Sequence, residues 1–234
     1  PNLEWDKFKK SIPVSTLFVA NVGSAFLGLR VTDVPMFLCV RRLTTICVMV
    51  SEYIVLGKVA TPKIRMAVGI IMFGTIVAGW DTLTSNYIGY AYVMSNNVLT
   101  AVLYAFQKKL CDDTGLKSFG LLYYNAMFAL PLSLYIAYMT GEVETLPEFK
   151  HLHNPGFLAG MALSSVLGVL MTYAILLCNL VNSPLATSVT GNTKDIVSTF
   201  VGWALFGGFL ATVNSLSGLL ISFVGSGYYS YLKL

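Results

Sequence analysis

Apolar stretches follow one another along nearly the whole chain, separated by short segments that hold most of its charge. Eight of them, at residues 12–30, 34–56, 64–82, 86–107, 118–140, 155–179, 183–206 and 210–232, approach the length of about 20 apolar residues that crosses a bilayer. Their ends are punctuated by Pro35, Gly57, Pro62, Pro155, Pro184 and Gly207-Gly208. Nothing resembles the alternating strands of about ten residues that build a membrane barrel. Lipid offers the backbone no hydrogen-bond partner, so each stretch is predicted as a helix. The fold class expected is an all-α integral membrane protein, a polytopic helical bundle.

Composition agrees with this picture. The chain is 56% hydrophobic and 11% charged, with a mean hydropathy of +0.71, against about 25% charge in an ordinary soluble domain. The lipid bilayer is therefore its first partner. The net charge of +4 comes without any Lys/Arg block of the kind that marks nucleic-acid binding.

The placement of charge orients the chain. Lys7, Lys9 and Lys10 precede the first span; Lys58, Lys63 and Arg65 fall between the second and third; Lys108, Lys109 and Lys117 fall between the fourth and fifth; Lys233 ends the chain. These alternate connections hold 10 of the 15 basic residues. The opposite side has Arg30 and Lys150, and its 141–153 loop carries Glu142, Glu144 and Glu148. The positive-inside rule predicts both termini in the cytosol. Cys39, Cys47, Cys111 and Cys178 form no CxxC pair and read as reduced packing residues. His151 and His153 have no cysteine nearby to make a metal site.

Three basic residues lie inside spans: Arg41, Arg42 and Lys194. A cation at a helix centre costs roughly 2.5–3.5 kcal/mol on insertion scales, so something must offset each. Lys194 shares a face with Thr187, Gly191 and Ser198, and Gly191 leaves room beside it, which suits a phosphate or sugar in a wet cavity. Its alternative is a structural pair with Asp195 or another carboxylate. Arg41 and Arg42 are about 100° apart on a helix, so one faces a cavity while the other pairs, with Glu52 or Asp81 as candidates. Guanidinium suits bidentate phosphate binding.

Further polar positions come in stripes. Tyr124 and Asn125 offer a ring for stacking and an amide able to read a base edge, or an interhelical hydrogen bond. Tyr92, Asn96 and Thr100 line one face of the fourth span, and Thr172, Tyr173 and Asn179 add polarity to the sixth. Single hydroxyls of this kind also serve as helix glue. The second span, PMFLCVRRLTTICVMVSEYIVLG, and the seventh, PLATSVTGNTKDIVSTFVGWALFGG, both open at Pro, carry basic residues about two turns in and end at Gly. This is a faint repeat of the kind found in secondary transporters. No nucleophile–base pair, phosphate loop or HExxH motif occurs, so no enzyme and no cofactor are expected.

At these residues the sequence resembles the nucleotide-sugar transporters of the drug/metabolite transporter superfamily. VPMFLCVRRLTTICVMVSEYIVLG is similar to the family's fourth helix, LLYYNAMFALP to its FYNN segment, and SVTGNTKDIVSTFVGWALFGG to its GALNK segment. The resemblance implies eight spans of a ten-helix fold with a five-plus-five inverted repeat. Residues 1–85 would be the remainder of the first repeat (helices 3–5) and residues 86–234 the second (helices 6–10), with two further apolar spans expected upstream of Pro1. It implies a Golgi or endoplasmic reticulum antiporter that exchanges a nucleotide sugar for a nucleoside monophosphate, with a homodimer as an allowed assembly. Lys194, Gly191, Asn192, Asn125, Tyr124, Arg41, Arg42, Thr187, Thr172 and Asn96 are the substrate-binding candidates. Asn125 matches the first Asn of FYNN, which contacts the base in GDP-mannose members, while Ala126 replaces the second. Lys194-Asp195 stands where the GALNK motif has Asn and Lys. Both departures lie nearer to UDP-sugar members, so a UDP-sugar/UMP exchanger is expected. A GDP-mannose transporter, an exchanger of sugar phosphates or other organic anions, and a non-transporting scaffold remain as alternatives.

Overall fold

The computed structural model describes residues 5–32, 34–80, 87–145, 154–206 and 213–233. Within them the chain forms α1 (Trp5–Val31), α2 (Val34–Arg41), α3 (Thr44–Leu56), α4 (Pro62–Gly79), α5 (Tyr87–Thr114), α6 (Ser118–Met139), α7 (Glu142–Thr145), α8 (Pro155–Val181), α9 (Pro184–Phe206) and α10 (Val213–Lys233). Helix occupies each of the eight expected stretches. Among the described residues, α1, α4, α6 and α8 are long and apolar enough to cross a membrane. Asp81, Gly207-Gly208, His151 and His153 lie outside the described residues.

Helix ends follow local chemistry. Asn154 caps α8, its Oδ1 accepting from Gly156 N at 2.9 Å, and Pro155 takes the first helical position, where the missing N–H costs nothing. Thr61 and Pro62 start α4 in the same way. Gly57 closes α3 at φ 65°, a left-handed conformation that suits glycine.

The second stretch departs from expectation. It is two helices rather than one, broken at Arg42-Leu43. Across the break, Arg42 N donates to Cys39 O at 3.2 Å, Leu43 N to Val40 O at 3.0 Å and Thr45 N to Arg42 O at 3.3 Å, each three residues back instead of four. Unwound backbone at membrane depth is tolerated only where protein or a wet cavity satisfies it.

Helix α5 is the hub, packing against α1, α2, α3, α8 and α9. One apolar cluster joins Val48, Val68, Ile71, Ala101, Val189 and Tyr229 from α3, α4, α5, α9 and α10. Another joins Val14, Leu103, Leu110, Cys111, Leu121 and Leu176 from α1, α5, α6 and α8. The four cysteines are free, as expected. Cys111 lies past the fourth apolar stretch, and burial pushes its thiol up to about 11, which keeps it a protonated packing residue.

Helices α4 and α10 approach most closely. A Cβ at Gly74 would stand 2.6 Å from Ser222 N, and one at Gly218 would collide with the backbone of Ala78. Ser222 Oγ donates to Ile71 O at 3.2 Å and Ser215 Oγ to Ala78 O at 3.3 Å. Without a hydrophobic drive between helices in lipid, such small-residue contact is what holds a pair together. Gly225 belongs to this contact, whereas a Cβ at Gly227 meets open space. Gly218→Val is therefore expected to lower the melting temperature of the purified protein by the equivalent of about 1–3 kcal/mol or more, and Gly227→Ala to leave it unchanged. Equal melting of the two variants would contradict this packing.

Candidate functional site

Four segments surround a cavity of about 270 Å³. The end of α2 and start of α3 contribute Arg41 and Thr44, and α5 contributes Thr100 and Tyr104. From α8 come Met171, Ala174, Ile175 and Cys178, one face at helical spacing. The widest wall is α9, with Thr187, Ser188, Thr190, Gly191, Asn192, Lys194 and Asp195. The lining is apolar on the α8 side and polar on the α9 side, the mixed surface usual for a small-molecule site.

The charges on the wall are Arg41, Lys194 and Asp195, one net positive charge. Lys194 Nζ pairs with Asp195 Oδ1 at 3.1 Å, and the Lys194 side chain is 50% exposed. The lysine end of the pair is half-exposed and screened by solvent, so the ammonium is able to exchange its neighbour for an anion while Asp195, only 16% exposed, stays on the wall. Arg41 is exposed to the cavity and lies over the Phe37 ring at 5.8 Å, which braces the guanidinium base. Arg42 turns the other way and is buried, with Nε unpartnered. One arginine thus faces the cavity, as the sequence requires of adjacent residues. Glu52 is not its partner: that carboxylate faces Leu185 N and the ammonium groups of Lys233, Lys58 and Lys108.

The break between α2 and α3 is stitched by side chains. Asn97 Nδ2 donates to Val40 O at 2.9 Å, and the Thr44 hydroxyl lies between the Arg41 carbonyl and Asn97 Oδ1, 2.8 Å from the latter. The next residue ties the first turn of α3 to α9: Asn192 Nδ2 donates to Thr45 Oγ1 at 2.7 Å, and Thr45 Oγ1 is 3.0 Å from Ser188 Oγ. The two segments compared as a faint repeat therefore pack on each other.

Below the cavity, at the α8–α9 turn, polar groups converge on Ser183. Its Oγ accepts from Ala186 N at 3.2 Å and from Lys233 Nζ at 2.7 Å. Lys108 Nζ donates to Leu180 O, and Asn179 Nδ2 to Tyr104 O at 3.0 Å and Gln107 Oε1 at 3.2 Å. These bonds draw α5, α8, α9 and α10 together at that end.

Of the sequence candidates, Lys194, Gly191, Asn192, Thr187 and Arg41 meet at the cavity. Thr172 lies off the α8 face that lines it, its hydroxyl donating to Gly168 O at 2.8 Å. Tyr124 and Asn125 are buried on α6, where the Tyr124 ring packs tilted against Phe8 of α1 with centroids 6.3 Å apart and Asn125 Oδ1 is unpartnered. Asn96 is buried against α1, donating to Asn21 O at 2.8 Å, Asn21 Oδ1 at 2.9 Å and Ser24 Oγ at 3.0 Å. Sequence reasoning missed Asn97, Thr44, Thr45, Ser188 and Tyr104. The signal available was Asn96-Asn97 and Thr44-Thr45: two adjacent polar residues in a span cannot share a face, so each pair must serve two neighbours.

An all-helical chain with helices apolar enough to cross a membrane and a pocket of net positive charge has the build of a membrane protein that takes an anionic solute. No family model matches the chain, but curated relatives do. It is 34% identical over 96% of its length to the UDP-N-acetylglucosamine transporter of Arabidopsis thaliana, covering 65% of that protein. It is 32% identical over 96% of its length to a nucleotide sugar transporter of Mus musculus, covering 69% of it. A GDP-mannose transporter of Arabidopsis thaliana is more distant, 24% identical over 95% of the chain and 68% of its own length. The chain belongs to the nucleotide-sugar transporter family. It spans about two thirds of the length of these stronger matches, 65% of the first and 69% of the second.

The geometry separates glue from lining. Asn96→Leu removes the amide that bridges α5 to Asn21 and Ser24 of α1, bonds worth about 0.6 kcal/mol each between helices in lipid, so it is expected to lower the melting temperature of the purified protein. A variant that melts normally would contradict the bridging role.

Proposed function

We propose that the protein is an antiporter that brings a UDP-sugar into the Golgi or endoplasmic reticulum lumen in exchange for UMP. The observation that carries this reading is the cavity itself, where Arg41 and Lys194 face one space from α2 and α9 with a single carboxylate between them in charge. A diphosphate brought there finds two cations, while Thr44, Thr187 and Asn192 supply neutral partners for sugar hydroxyls. Relatives named as a UDP-N-acetylglucosamine transporter and a nucleotide sugar transporter are 32–34% identical to the chain, against 24% for the GDP-mannose transporter. That difference supports uridine over guanine.

The exchange needs no covalent step. At about 270 Å³ the cavity is near the lower end of ligand sites, roughly 300–1,000 Å³. A whole nucleotide sugar enters only if the helices part, which is the alternating-access motion of this reading. In it the chain supplies eight spans, residues 1–85 and 86–234 belong to opposite repeats of a five-plus-five fold, and both termini face the cytosol.

Two measurements test the proposal. Purified protein should be stabilised more by UMP than by GMP, since a ligand of the native state raises its melting temperature, and liposomes loaded with UMP should take up UDP-sugar. Stronger stabilisation by GMP would transfer the assignment to a GDP-sugar. Lys194→Ala should fold with an unchanged melting temperature, because its pair is open, yet weaken UMP by about 1.5–3 kcal/mol, roughly ten- to a hundredfold. Early melting without ligand would reveal a structural ion pair instead.

Orientation is tested separately. A cysteine introduced by Glu144→Cys should resist a membrane-impermeant maleimide in sealed vesicles with the cytosolic face outward and react after permeabilisation. Labelling of intact vesicles would invert the topology.

A further inference from the structure

We propose that Asn97 is a positioning residue that acts through the α2–α3 break to hold Arg41 at the cavity, and so sets how tightly the protein takes a phosphate. This rests on the reading of Arg41 as a phosphate partner.

Asn97 does not line the cavity. It is wholly buried, on the hub helix, and its two polar atoms straddle the break: Nδ2 to the Val40 carbonyl, Oδ1 to the Thr44 hydroxyl. In an unbroken helix the Val40 carbonyl would accept from Thr44 N. Here it takes Leu43 N and the Asn97 amide. Arg41 is the residue between those two anchor points that opens to the cavity, and it ends a helix of only eight residues. A segment that short does not hold its own direction. Its packing through Met36 and Phe37 fixes one end, and Asn97 fixes the other.

Loss of Asn97 removes one of the two donors to the Val40 carbonyl and the side-chain acceptor of the Thr44 hydroxyl, leaving Leu43 N as the remaining donor at Val40. The backbone answers by closing the break into regular helix, which also rotates Arg41 out of register with Arg42 buried, or by drawing α2 away. Either change moves the guanidinium, together with Thr44 beside it, while the α5, α8 and α9 walls keep their places. The signature is therefore a loss specific to phosphate and dependent on Arg41.

The test measures binding of UMP and of uridine, which lacks the phosphate, to purified protein with Asn97→Ala, Arg41→Gln and both. Asn97→Ala is expected to weaken UMP about tenfold and leave uridine within about twofold, and in the Arg41→Gln background to add less than about twofold, because contacts that act through one group are not additive. Asn97→Ser, which keeps a polar side chain in the helix but is too short to reach Val40, should show the same pattern and serves if the alanine variant does not fold. Equal losses of UMP and uridine, or losses that add in the double variant, overturn the role of Asn97 while leaving the phosphate reading in place. If the unmutated protein binds UMP no better than uridine, the phosphate reading falls and this assignment with it.

Discussion

The fold turns on what lipid withholds. No water is present at membrane depth to satisfy a carbonyl, so each departure from regular helix must be met by the protein itself. The chain makes one such departure in its second apolar stretch, at Arg42-Leu43. Asn97 meets it from α5 and Thr44 from the broken segment itself. That break is what allows adjacent arginines opposite fates. Arg41 ends α2 and faces the cavity, whereas Arg42 enters the turn and is buried at 4% exposure.

The same constraint explains why α5 carries so much polarity. Asn96 and Thr100 look toward Asn21 of α1, Asn97 toward the break, and Gln107 toward Asn179 of α8. Together these groups reach α1, the α2–α3 break and α8, so one helix fixes the spacing of its neighbours. At about 0.6 kcal/mol apiece such bonds add modest stability, but their geometry is specific where apolar packing in lipid is not. The α4–α10 pair uses the other available device, backbone contact through Gly74, Gly218 and Gly225. That pair is held by close approach, with Ser215 and Ser222 bonding directly to the facing backbone. Around α5 the polar groups bridge wider separations, and the cavity lies on that side.

Helix positions were legible from the sequence because apolar length and Pro/Gly punctuation report them directly: Thr61-Pro62 and Asn154-Pro155 start helices where they fall. Half of the site was legible as well. Lys194 with Gly191 and Thr187 meets the cavity because an intramembrane cation must face something polar, and its own helix face says which way. The break was hidden. RRLTT lies within one long apolar stretch and holds no Pro or Gly to mark an end, and what steadies the break is a partner 53 residues away, Asn97 against Thr44. Asn96 was misweighted for the same reason: an amide facing a cavity and one facing Asn21 look alike in a helical stripe. Tyr124 and Asn125 came from the family resemblance, and in this structure they pack toward α1, away from the α9 wall.

The charge arrangement carries a consequence for exchange itself. A resident counter-charge that bound Lys194 and Arg41 strongly would compete with any phosphate, and none would leave the empty carrier with bare cations in a low-dielectric site. The wall holds an intermediate solution: Asp195, itself only 16% exposed, pairs with a half-exposed Lys194, while Arg41 rests on the Phe37 ring without a carboxylate of its own among the described ion pairs. A weak internal pair and a cation–π contact, each about 1 kcal/mol or less at exposed sites, keep the unloaded site tolerable yet are surrendered at little cost. Because the surrender is cheap in both directions, the same residues can take up an anionic group and let it go again, which is what the exchange proposed above requires and tight binding does not.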